Sequence, residues 1–128
     1  MVILKSPYQA VNYIVKSRFE EVFKTYDSSL PPTGTPYPFS YIGEQQSNGY
    51  AMAKRKRGFE VTQTVHVYNN EPQKRGYLLN LVDSVLLKCE ETGNGAIEFV
   101  NASVQTLVDD TTDVDLLHVV IDLTYRVY

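Results

Sequence analysis

Between Leu117 and Val127 an apolar residue returns at every second position: Leu117, Val119, Ile121, Leu123, Tyr125 and Val127, with His118, Asp122, Thr124 and Arg126 between them. A helix would scatter such residues around its circumference, whereas an extended chain collects them on one side. The segment therefore predicts a strand with one buried face. Phe59, Val61, Val65 and Val67 repeat the pattern against Glu60, Thr62, Thr64 and His66, with Gln63 breaking the apolar file. Two strands with one wet face each need a cover for the other face.

Helices supply it. Ser6-Pro7-Tyr8-Gln9 has the form of a helix start, because Ser caps and Pro is tolerated in the first turn. Val11, Val15, Phe19, Val22 and Tyr26 follow at helical spacing, with Lys16, Glu20, Glu21 and Lys24 on the other side, predicting an amphipathic helix of about five turns that reaches Tyr26. Asn70-Glu71-Pro72-Gln73 repeats the capping logic. Leu78, Leu79, Leu81, Val82, Val85, Leu86 and Cys89 then make a second helix, stopped by Gly93-Asn94-Gly95. Pro31, Pro32, Gly34, Pro36 and Pro38 make residues 27–38 an extended connector. Phe39, Tyr41 and Ile42 suggest a short strand, and a polar, flexible loop is expected around residues 43–58. Ile97 to Val108 is rich in strand formers, and Asp109 to Asp113 reads as a turn. The expected architecture is α+β: two helices on one face of a mainly antiparallel four-stranded sheet, in the order α-β-β-α-β-β, forming one domain over residues 1–128.

A chain of 128 residues that is 43% apolar can bury a core without disulfides or metals. A net charge of −3 gives no overall basic field of the kind nucleic-acid binding favours. Cys89 has no internal partner and sits on an apolar helix face, where a thiol packs as a small hydrophobe. Met1 to Lys5 is too short for a signal peptide, and no run approaches the roughly 20 apolar residues of a membrane span. Synthesis and folding in the cytoplasm, without a membrane, are expected.

Catalytic chemistry is hard to find. His66 and His118 lie on different strands and could be neighbours only if those strands pair. No ligand spacing supports a metal, no G-x-S-x-G elbow is present, and Gly93-Asn94-Gly95 follows a helix instead of preceding one. No catalytic residue, metal or cofactor is assigned. The notable charges are Lys54, Arg55, Lys56 and Arg57, and the acidic turn with Asp109, Asp110 and Asp113. Together with Tyr41, Tyr50 and Tyr68, they form the candidate set for a subunit interface or a lumen, since Tyr is enriched at interfaces and opposite charges steer association.

Several segments resemble the tail-completion, or tail-terminator, proteins of long-tailed bacteriophages. Pro36-Tyr37-Pro38-Phe39-Ser40-Tyr41-Ile42-Gly43-Glu44 is similar to the family's P-Y-apolar-x-apolar-G-E turn. Thr62-Gln63-Thr64-Val65-His66-Val67-Tyr68 resembles the strand that closes on a His-Val-aromatic pattern, with Tyr68 where Trp is more usual, and Asp83 falls mid-helix as expected. The resemblance implies a structural virion protein without enzymatic activity: a ring, commonly a hexamer, at the head-proximal end of the tail tube. It would contact copies of itself, the tail tube protein and the head-tail connector or stopper protein, with passing contact to genomic DNA in the lumen. Alternatives are a connector or stopper subunit, or a small nucleic-acid-binding α+β module. The latter normally shows sheet aromatics at set spacing or a G-x-x-G clamp, which this chain lacks.

Overall fold

The computed structural model describes residues 6–27, 29, 31–53, 56–91, 96–110 and 115–128, with the side chains of 50–53, 56 and 57 outside that description. Helix α1 spans Pro7–Glu20, and the Ser6 hydroxyl accepts from the Gln9 backbone N–H at 3.1 Å. Val11, Val15 and Phe19 make its buried stripe. The helix ends at Glu20, six residues before Tyr26. Phe23 N–H closes the last turn on the Phe19 carbonyl at 2.8 Å, and Lys24–Tyr26 straightens into strand β1. Phe23 is still buried, so the apolar spacing runs on past the point where the backbone stops being helical.

β1 pairs in parallel with the start of β2 (Phe39–Ala53), from Lys24 opposite Phe39 to Tyr26 opposite Tyr41. The connector between them turns at Pro32–Thr35, where Gly34 holds φ +87°, a conformation that L side chains rarely adopt. β2 and β3 (Lys56–Asn69) form a long antiparallel hairpin. A 3₁₀ turn at Pro72–Lys74 leads into α2 (Arg75–Glu91), and β4 (Ile97–Asp109) and β5 (Leu116–Val127) complete the chain. The entry to α2 carries no side-chain cap. A Glu71–Lys74 ion pair at 2.8 Å and the Lys74 N–H on the Glu71 carbonyl brace the turn instead.

The sheet is five-stranded and mixed, in the order β1-β2-β3-β5-β4. This corrects the expectation of a four-stranded antiparallel sheet with element order α-β-β-α-β-β. The additional strand is three residues long and pairs in parallel, so its formation depends on the arrival of β2 and leaves no period in the sequence. β2 is also longer than its apolar residues imply. Gly43 to Ala53 remains extended because Gln45 to Ala51, and Ala53 beyond a second irregularity, find ladder partners on β3.

Both helices cover the same face. Val61, Val65 and Val67 of β3 and Leu117, Val119, Ile121, Leu123 and Tyr125 of β5 meet Val11, Val15 and Phe19 of α1 and Leu78, Val82, Val85 and Cys89 of α2 in one core. Arg18, Glu21 and Lys88 tie the helices at their solvent side. Among the described residues the other sheet face carries no helix. Among the described residues no helix is long and apolar enough to cross a membrane.

Candidate functional site

The register of the sheet determines what the uncovered face can display. Phe39, Tyr68, His118 and Leu107 form one row across β2, β3, β5 and β4; Tyr41, His66, Val120 and Gln105 form the next. Cross-strand neighbours on one face lie within side-chain reach, so the aromatic residues of these rows stack. Tyr68 lies over His118 with ring centroids 4.4 Å apart and planes 14° from parallel. Phe39 sits 5.4 Å from Tyr68, and Tyr37 and Tyr26 extend the cluster at 5.3 and 5.8 Å from Phe39. Beside it lies a depression of about 600 Å³ lined by Pro31, Tyr37, Phe39, Tyr41, His66, Tyr68 and Leu116.

A hydrogen-bonded chain runs along the edge of this cluster. His66 Nδ1 lies 2.9 Å from His118 Nε2, and His66 Nε2 lies 3.2 Å from Glu44 Oε1. With both rings neutral, one arrangement satisfies both contacts: His118 Nε2–H donates to His66 Nδ1, and His66 Nε2–H donates to the Glu44 carboxylate. Burial, then His66, hold the His118 imidazole below the usual histidine range. Burial first, with Asp109, Glu44 and Tyr41 adding, raises the Tyr68 phenol above its ordinary value.

The Gly43-Glu44 pair makes this possible. Pairing skips from Ile42 to Gln45, so Gly43 and Glu44 form a bulge on β2. A Cβ on Gly43 would lie 2.8 Å from His66 Cδ2, so only glycine leaves the ring its place while Glu44 reaches its nitrogen. The bulge carbonyls find a side-chain donor. Gln63, 1% exposed, donates its amide to the carbonyls of Gly43 (3.1 Å), Glu44 (3.2 Å) and Thr64 (3.0 Å). Its own carbonyl accepts from Gln45, which also donates to the Tyr8 carbonyl of α1 at 2.8 Å. The break in the apolar file of β3 is thus the support of the site. Further along the same face, Thr64 bonds Asp122, Thr62 meets Thr124 at 2.8 Å, and Glu60 pairs with Arg126 at 3.5 Å.

Of the sequence candidates, Tyr41, Tyr68 and Asp109 come to the aromatic end of the sheet, and exposed Asp110 follows directly. Tyr50, Lys56 and Arg57 occupy strand positions at the opposite end, where Tyr50 pairs with Gly58. Ten steps along β3 separate Gly58 from Tyr68, roughly 30 Å at a rise of ~3.3 Å per residue, so the strand positions of Lys56 and Arg57 lie far from Asp109 and Asp110 within one chain. Lys54, Arg55 and Asp113 lie outside the described residues. His66 and His118 were legible as neighbours conditional on strand pairing, and β3 and β5 do pair. Phe39 escaped notice as a site residue because only the register aligns it with Tyr68 and His118. Among the described residues no group of three His, Cys, Asp or Glu side chains is placed to hold a metal ion. Cys89 is buried, and desolvation raises its thiol to about 11.

No protein-family profile matches the chain, and no curated protein matches it. Among solved structures, its fold is similar to that of a chain in the virion of a native gene transfer agent particle. The TM-score is 0.53 at 12% sequence identity, covering 91% of this chain and 91% of the other. The likeness is one of fold.

Proposed function

We propose that the chain is a structural, non-enzymatic subunit of a phage-like virion, and that it forms a ring at the head-proximal end of the tail tube, terminating the tail and joining it to the head connector. The observation that carries the reading is the end-to-end fold likeness to a chain of a gene transfer agent virion. The sequence resemblance to tail-completion proteins sharpens it to the ring. Its partners in this reading are copies of itself, the tail tube protein and the connector or stopper protein. The uncovered face supports a protein partner over a nucleic acid. Its aromatic rings stack on one another instead of standing free for bases, and the carboxylates of Glu44 and Asp122 on that face repel phosphates.

The test is negative-stain imaging of particles from cells in which this gene is silenced, beside a complemented control. Tails of abnormal length, or correct tails that fail to join filled heads, are expected. Normal infectious particles would overturn the reading.

A further inference from the structure

β4 is the last strand of the sheet, and its outer edge meets no other strand among the described residues. Edge strands are normally blunted by Lys, Pro, shortness or a covering element. β4 has a bulge at Phe99–Asn101, but its regular stretch from Ala102 to Asp109 contains no Lys, Arg or Pro. It instead exposes Val104 (44%), Leu107 (40%) and Val108 (50%). Val104 and Val108 fall on the helix-covered face, level with buried Ile121 and Leu117 of β5, where the helices stop short of them. Such an edge is a template for another strand.

The same sheet offers one. β1 covers only Phe39–Tyr41 of β2, so the outer edge of β2 from Ile42 to Ala53 is unpaired among the described residues and about as long as β4. β2, β3, β5 and β4 alternate strictly in direction, so the two open edges run opposite ways. A second copy rotated about an axis along the strands therefore brings its β4 antiparallel to β2 of the first, and the alternation continues across the boundary. The contact joins two different surfaces of one chain, the heterologous kind that closes into rings. β1 also acts as a stop: an incoming strand must sit displaced toward the β2–β3 hairpin, and such stagger is what a curved, closed sheet requires.

We infer that copies of this chain associate edge to edge, β4 of one against the Ile42–Ala53 part of β2 of the next, so that the sheet runs unbroken around the assembly. This rests on the ring reading above and supplies its contact.

The test uses full-length protein with Val104→Cys in one variant and Ser47→Cys or Gly49→Cys in another; Val104, Ser47 and Gly49 lie on the same sheet face and are exposed, while native Cys89 is fully buried. Circular dichroism checks folding, sedimentation across a concentration series reports association, and mild oxidation traps contacts. Expected are disulfide-linked dimers in the mixture, with neither variant cross-linking alone, and a ladder ending at the ring size when both cysteines share a chain. Oligomers in the centrifuge that no mixture cross-links would overturn the edge contact and leave the ring standing. Equal cross-linking by Val104→Cys alone would show β4 pairing with itself, which also overturns it. A monomer at every concentration, without cross-links, would overturn both.

Discussion

Gln63 and His118 show how single residues set the site. Gln63 interrupts an apolar strand, and its amide is the partner of carbonyls that the β2 bulge removes from the ladder. Replacing it by Leu keeps the volume roughly but removes the amide donor from these part-buried carbonyls, at a cost of up to about 1–3 kcal/mol. Gln63→Leu should accordingly unfold at lower denaturant than wild type. An unchanged or higher midpoint would mean that water serves the bulge equally well. His118 behaves differently because its neutral form is the bound one. Its folded value is depressed below 6.5, so the unfolded chain takes up the proton first as pH falls. The stability it contributes is whole above about pH 6.5 and drains below it, as pH falls toward the folded value. His118→Phe keeps a ring on Tyr68 and removes the titration. The variant's melting temperature should therefore fall less than the wild type's between about pH 7.5 and pH 5.5; parallel decline would detach the acid sensitivity from this side chain. At this scale the sequence exposed the anomaly at Gln63 and the pair of histidines, but not their partners, because a bulge and a register are properties of two strands together.

The elements were legible where burial imposes a period and illegible where pairing alone holds the chain straight. α1, α2, β3 and β5 each bury a stripe that repeats at helical or strand spacing. β1 and residues 46–49 of β2 carry no fully buried side chain and are extended because a neighbour occupies their hydrogen bonds. Where α1 ends was misjudged for the same reason: Val22 and Phe23 still pack on the core after the helix has stopped. Docking between elements also rests on polar contacts that no periodicity announces. The Tyr125 hydroxyl, fully buried, donates to the Cys89 carbonyl in the last turn of α2 at 3.0 Å, and burial pushes its phenol far above the ordinary range. Tyr125→Phe preserves the ring that meets Phe99 edge-on at 5.5 Å and deletes only the hydroxyl's contacts with Cys89. The expected loss is about 1–3 kcal/mol, the cost of a buried acceptor left unpaired. Hydrogen exchange should quicken most at the C-terminal end of α2. Uniform quickening across both helices would show that the bond serves the core as a whole and does not pin that end.

For the whole molecule, the direction of the strands separates two chemistries by roughly the length of β3, ~3.3 Å for each residue. One end gathers Tyr37, Phe39, Tyr68, His118 and the acids Asp109 and Asp110; at the other the β2–β3 hairpin pairs Ala53 with Lys56 beside Arg57. If rings form through the sheet edges, these ends become the two faces of the ring, and a piece set between tail tube and connector needs faces that differ. The ends should then fail independently. Tyr37→Ala, at an exposed ring of the aromatic end, removes contact area without touching either open edge. It should leave ring size in the centrifuge unchanged while virions show one junction lost, either tail capping or head joining. Reversing the charges at Lys56 and Arg57 should impair the other junction. Loss of the same junction by both changes would mean the two ends serve one partner, and loss of the ring itself by Tyr37→Ala would place the aromatic end inside the subunit contact. None of this polarity is visible in the linear chain, where Tyr50 and Tyr68 lie close together; the hairpin carries them to opposite ends.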